Sequence, residues 1–329
     1  MGKLTGPPLA AFLFSALLVL LPRQPALAAE APAYVALGDS LAFGVGATNP
    51  AKQGYVARTF EALRTGDRYR ERGLTLLNLS APGATSADVV LPGGQLERAL
   101  QAIEDRQRDT TSADDNVEVI SIDIGANDLL SLAAQDSPCI TAAAGEACQQ
   151  RLGEVLNALQ RNVADVLSRL HRAAPAARIY VIDLYNPFSG TGDLRESLAD
   201  VGVQQVNGVV RAATSDPDLG SQLVSVYSLF QGRGRQWVAA DGLHPNDSGH
   251  AVIGEVLLAA IERRAVHIAD ELLALPTDPV SGSPGSGAQA AAAGADGADA
   301  WLVVVIAVPL AFLAGGLLSG AYFLARGRG

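Results

Sequence analysis

Residues 35–47 read Val-Ala-Leu-Gly-Asp-Ser-Leu-Ala-Phe-Gly-Val-Gly-Ala, an apolar run that breaks into a polar triplet between glycines. The run Ala33–Leu37 has the length and composition of a buried strand. Gly38, Asp39 and Ser40 then stand at its carboxyl end. Two readings are open for that triplet. It can be a turn, since Gly admits unusual backbone angles and Asp and Ser bond back to nearby amides. Alternatively, Ser40 is a nucleophile presented where substrate can reach it. The choice depends on what the remaining strands carry at their own ends.

Further strand-like runs lie at 74–80, 117–125, 178–186 and 221–229, and helical patterns fall between them. The clearest helix is Glu146 to Ala173, where Leu152, Val155, Leu156, Leu159, Val163, Val166, Leu167 and Leu170 form one stripe and Pro175 follows as a stop. Other helices are expected near 54–65, 95–107, 193–213 and 247–264. Strands that alternate with helices predict a parallel sheet with helices on both faces, an α/β fold, because each parallel crossover is long and right-handed. Ligands in such sheets bind beyond the carboxyl ends of the strands. Ser40 follows the first strand and Asn127 and Asp128 follow the third, so all three are expected on one rim.

A serine becomes a useful nucleophile when a base takes its proton and that base is itself oriented. The chain has four histidines. His171 and His267 read as surface residues, and His250, at the start of a helix, reads as a cap or core-edge residue. His244 stands in Asp241-Gly242-Leu243-His244-Pro245, a loop before that same helix. Asp241, three residues earlier, can orient its imidazole, or Asp241-Gly242 can simply make a turn. Half a metal site is a third reading, but partner ligands are not clustered nearby, and neither CxxC nor HExxH occurs. Acyl transfer also needs donors for a developing oxyanion. Gly83, in Asn78–Thr85, offers a backbone N–H, and Asn127, in Gly125-Ala126-Asn127-Asp128, offers a side-chain amide.

The blocks GDSLAFG (38–44), NLSAPGATS (78–86), GAND (125–128) and DGLHP (241–245) resemble, in order, the four signature blocks of the GDSL, or SGNH, hydrolase family. The resemblance implies a flavodoxin-like three-layer α/β/α sandwich around a five-stranded parallel sheet, and hydrolysis of ester-type bonds without a metal or other cofactor. It implies Ser40 as nucleophile, with its N–H joining Gly83 and Asn127 in the oxyanion hole, His244 as general base and Asp241 as its orienting partner. Substrate classes within the family include lipid esters, lysophospholipids, thioesters and carbohydrate O-acetyl groups. A surface binding module on the same fold would be expected to lack the catalytic residues, and all are present. Phe43, Phe188 and Trp237 are candidate apolar residues near the rim.

The rest of the 329-residue chain bears on location. Lys3, a following apolar stretch and Ala26-Leu27-Ala28 have the anatomy of a secretory signal over 1–29. Trp301–Ala325 is uncharged over about 25 residues, long enough to cross a bilayer, with Trp301 and Tyr322 near its ends and Arg326 and Arg328 after it. Residues 276–300 are small and polar, composition suited to a flexible linker. A single-pass membrane protein is expected, with an extracellular hydrolase domain at 30–275 and a cytoplasmic tail at 326–329. Cys139 and Cys148, the only cysteines, are expected to pair in such an exported body. The net charge of −10 argues against a nucleic-acid partner.

Overall fold

The computed structural model describes residues 31–108, 116–134, 137–141, 145–192 and 194–273. The expected signal, linker and transmembrane segments lie outside these residues. Among the described residues no helix is long and apolar enough to cross a membrane.

Five strands, β1 (Ala33–Gly38), β2 (Thr75–Asn78), β3 (Val117–Asp123), β4 (Arg178–Ile182) and β5 (Ser221–Val224), form one sheet in the order β2-β1-β3-β4-β5. Every pairing is parallel. The order reverses direction between β1 and β3, so the crossovers on the two sides of β1 place helices on opposite faces. This is the three-layer α/β/α arrangement expected from the alternation of elements.

All six residues of β1 are buried, because side chains that alternate across the strand meet helices on either side. Val35 and Leu37 share one core with Ile120, Ile122, Ile179 and Val181. Helices α3 (Gln95–Arg108), α5 (Glu146–Ala173) and α6 (Leu194–Thr214) cover that face. The alternate positions Tyr34, Ala36, Val119, Tyr180, Ile182 and Val224 face the second core, covered by α2 (Tyr55–Thr65) and α7 (Asp247–Glu262). Among the short helices, α1 (Ser40–Phe43) and α4 (Ala126–Leu130) start directly beyond β1 and β3.

The stripe read in Glu146–Ala173 is the buried face of α5, and its bounds match the expected ones. The third, fourth and fifth strands end sooner than their apolar runs. Ile124, Leu184 and Tyr185 continue the runs of β3 and β4, but they line the cleft beyond the strand ends rather than pairing. Past β5, the buried Asp183 carboxylate accepts from the backbone N–H groups of Val226 (2.7 Å) and Tyr227 (3.0 Å) and from the Ser225 hydroxyl (2.7 Å). These bonds turn Tyr227–Phe230 into a helical turn. Cys139 and Cys148 are disulfide-bonded, with Cα atoms 4.6 Å apart, and tie the short helix Pro138–Thr141 to the start of α5.

Candidate active site

Ser40 is the first residue of α1, and the backbone that delivers it is held on three sides. The buried Gln95 side chain clamps Gly38: its Oε1 accepts from the Gly38 N–H and its Nε2 donates to the Gly38 carbonyl, both at 2.8 Å. Gly38 has φ +147, and a Cβ there would lie 1.8 Å from Asp123 Oδ1, so the close approach of β1 to β3 requires glycine. Asp39 caps α1 by accepting from the Leu41 N–H at 2.9 Å. Asn78 Nδ2 donates to the Ala42 carbonyl at 2.9 Å, anchoring the same turn from β2.

His244 Nε2 stands 2.8 Å from Ser40 Oγ, across 204 residues of sequence. Its Nδ1 lies 2.8 Å from Asp241 Oδ2, while Asp241 Oδ1 accepts from the backbone N–H groups of Leu243 (2.9 Å) and His244 (3.0 Å). Burial pushes the Asp241 carboxyl upward, but the ring bond and the two amide bonds outweigh it and hold the group at about 2. An ionised Asp241 accepts only, so it fixes the proton on Nδ1 and leaves the Nε2 lone pair to accept from the serine hydroxyl.

The loop carrying Asp241 and His244 is seated by its own contacts. Tyr185 donates its hydroxyl to the Leu243 carbonyl at 2.6 Å, and Ala239 N–H donates to the His244 carbonyl at 2.8 Å. The segment after α1 then runs along it: Thr48 bonds both carboxylate oxygens of Asp247, at 2.9 and 2.7 Å, and His250 Nε2 donates to the Val45 carbonyl at 2.9 Å. Gly46, at φ +91, passes so close that a Cβ would sit 2.4 Å from the Pro245 carbonyl oxygen. His250 is therefore a fully buried fastener, its Nδ1 accepting from Tyr55 N–H at 3.3 Å.

Gly83 and Asn127 face the same cleft. Asn127 Nδ2 donates to the Ala84 carbonyl at 3.0 Å and, over a longer 3.3 Å, to Asp39 Oδ2. Its neighbour Asp128 is buried and accepts from the Ser86 N–H (2.8 Å) and hydroxyl (2.5 Å), binding α4 to the loop after β2. Asp39 is pushed up to about 6, chiefly by burial, with the Leu41 amide and His244 opposing. Burial also raises Asp123 well above the usual carboxylate range, reinforced by the charge of Asp39.

The structure thus brings Ser40, Gly83, Asn127, Asp241 and His244 to one rim, at the carboxyl ends of the strands. The cleft there measures about 600 Å3, and Leu41, Val45, Pro82, Ile124, Leu130, Leu184 and Leu243 supply much of its wall. Two rim candidates belong elsewhere. Phe188 and Trp237 are buried in the two cores, and Trp237 Nε1 donates to the Leu272 carbonyl at 2.9 Å. Phe43 is 47% exposed but is absent from the cleft wall. Gln95, Asn78, Asp183 and Tyr185 escaped the sequence reading because each acts through long-range backbone bonds that leave no local pattern. Among the described residues no group of three or more His, Cys, Asp or Glu is placed to hold a metal ion.

A hydroxyl bonded to a carboxylate-oriented imidazole beside an amide donor is an arrangement able to support acyl transfer, and the fold that carries it, an all-parallel five-stranded sheet flanked by helices, is that of a class of α/β hydrolases. The chain belongs to the GDSL-like Lipase/Acylhydrolase family, whose model matches residues 36–252, and it is an ester-hydrolysing enzyme. It is 24% identical over 234 residues to the spore germination lipase LipC of Bacillus licheniformis, a match covering 69% of this chain and 95% of that protein. Among solved structures it is similar to the lipase Lip_vut3 from a goat rumen metagenome, at 22% identity and a TM-score of 0.51, covering 70% of this chain and 97% of the other.

Proposed function

We propose that this protein is a membrane-anchored, extracellular serine esterase that cleaves acyl esters, with lipid esters as its substrate class, through Ser40, His244 and Asp241. The observation that carries the reading is the continuous relay from Asp241 to His244 to Ser40, 2.8 Å at each step, opening into a largely apolar cleft of about 600 Å3. In the first step His244 Nε2 takes the Ser40 proton as Oγ attacks the ester carbonyl. The Ser40 and Gly83 N–H groups and the Asn127 amide receive the oxyanion. The imidazolium then protonates the departing alcohol oxygen as its bond to the acyl carbon breaks. Water, deprotonated by the same imidazole, then attacks the acyl carbon, and the imidazolium returns that proton to Ser40 Oγ as the acyl–Oγ bond breaks and the acid leaves. Asp241 stabilises the imidazolium without itself taking the proton.

The apolar wall supports acyl chains longer than acetyl, since burying each methylene contributes about 0.8 kcal/mol. It favours lipid esters over carbohydrate O-acetyl groups, whose transferred acyl part would leave most of that wall uncovered. The apolar stretches at 1–29 and 301–325 support export and anchoring. A fluorophosphonate probe should label the wild type and fail to label a folded Ser40→Ala variant, which should be nearly inactive. A p-nitrophenyl ester series from acetate to palmitate should peak beyond acetate. Full activity in Ser40→Ala would refute the mechanism, and strict preference for acetate would replace the lipid reading with deacetylation.

A further inference from the structure

In the mechanism above, the carbon under attack carries four groups, and the catalytic residues fix the direction of three. Ser40 Oγ forms the new bond, and the oxyanion faces Gly83 and Asn127. The departing oxygen must reach His244 Nε2, which stands 2.8 Å from Oγ. The acyl chain takes the fourth direction, and the cleft wall divides accordingly. Val45 stands on the alcohol side. Its carbonyl accepts from His250 at 2.9 Å, and a Cβ on the next residue, Gly46, would lie 2.9 Å from His244 Cβ. This part of the wall therefore adjoins the imidazole.

The opposite wall lies past the ends of β3 and β4. In the sheet order β4 is two strands from β1, a span of roughly 10 Å. Ile124 and Leu184 line the cleft there and are buried in the core on one face of the sheet. Leu130 packs against that same core but is only half-buried, so part of its side chain is open to the cleft. Asp183, beside Leu184, commits both carboxylate oxygens to Ser225, Val226 and Tyr227, so it offers this wall no free acceptor.

Helix α4 links this wall to the chemistry. Ala126, Asn127 and Leu130 all line the cleft, as residues three and four apart on one helix face can. Three residues of helical rise put Leu130 about 4.5 Å beyond the oxyanion donor along the axis. A small side chain therefore precedes the donor, and a branched aliphatic one stands a turn after it. An acetyl group ends short of Leu130, whereas a chain of several carbons runs onto it.

We propose, resting on the ester-cleaving reading of this same cleft, that Leu130 is a specificity-determining residue for the acyl chain. Backed by Ile124 and Leu184, it sets how many carbons are accepted, while the alcohol lies on the Val45 side. Each methylene that the wall covers raises kcat/KM by up to about fourfold, until the chain outgrows the pocket.

The test is kcat/KM of the full-length protein for p-nitrophenyl esters of even-numbered acids from acetate to palmitate. Leu130→Ala, which shortens the side chain, should move the optimum at least one member of the series longer. Leu130→Phe should move it at least one member shorter. Opposite shifts cannot come from lost stability, which lowers all members together. Val45→Ala should leave the acyl optimum in place and change the ratio of rates for methyl and hexyl esters of one acid by about threefold or more. An optimum unmoved by both Leu130 variants, or moved by Val45→Ala instead, would overturn the assignment while leaving ester cleavage intact. A wild-type protein that cleaves no ester of the series would sink the ester-cleaving reading, and this assignment with it.

Discussion

Replacing Asp241 by Asn tests the relay at its most informative point. The ring bond at 2.8 Å requires an acceptor at position 241 and a proton on Nδ1. An Asn that keeps the Leu243 and His244 amides on its carbonyl must turn its NH2 toward the ring. Nδ1 then becomes the acceptor, the ring proton moves to Nε2, and Nε2 can no longer receive the Ser40 proton. Loss of the correct tautomer should lower kcat by about 10³–10⁴, equivalent to about 4–5.5 kcal/mol of transition-state stabilisation. A smaller effect falls on stability. Asp241 moves from the ordinary 3.8 to about 2, so its ionised form contributes about 2 kcal/mol above pH 4. That contribution is lost as pH falls through about 2, and Asn lacks it throughout. The midpoint of thermal unfolding at pH 7 should therefore fall by roughly 4–8 °C. The assay is kcat on a saturating p-nitrophenyl ester at a temperature where circular dichroism shows the variant folded. A folded Asp241→Asn enzyme that keeps kcat within about threefold of wild type would refute the reasoning.

Other expectations follow from the same geometry. Asn127→Ala should reduce kcat by about 10²–10³ with little change in KM, read from steady-state kinetics, because the amide is required only once the oxyanion forms. Gln95→Ala leaves the buried Gly38 N–H unbonded, while the Gly38 carbonyl keeps the Ala81 N–H, so urea unfolding should register a loss of about 1–3 kcal/mol, with the cleft chemistry affected only through Ser40 placement. His250 is lowered from 6.5 to about 4, chiefly by burial against the bond to Val45. The unfolded chain binds a proton through that window while the folded chain refuses it, so His250 makes stability fall by about 3 kcal/mol between pH 6.5 and 4. His250→Gln should remove that part of the acid destabilisation, measured as the difference between the two proteins' urea midpoints at pH 7 and pH 4.5.

Much of the scaffold was legible because its signals are local. The stripe of α5 repeats within each turn, and the wholly buried β1 reads as an unbroken apolar run. Strand ends were less legible. Ile124, Leu184 and Tyr185 are as apolar as the strands before them, and only the cleft they line distinguishes their role. Phe188 and Trp237 were misplaced for a related reason. Bulk and aromaticity suit a core as well as a binding rim, and sequence spacing carries no direction toward either.

Sequence alone determined the order of elements, the end of each strand at which chemistry would gather, and the residue types available there. These follow from the two periodicities of a folded chain and from the topology that parallel crossovers enforce. Tertiary structure alone decided that Ser40 and His244 meet. That meeting depends on Gly46 sliding past Pro245, on Thr48 gripping Asp247 and on His250 fastening Val45, contacts between segments some two hundred residues apart. Each is an interaction of surfaces brought together by packing, and such complementarity leaves no trace in the neighbouring residues of either segment.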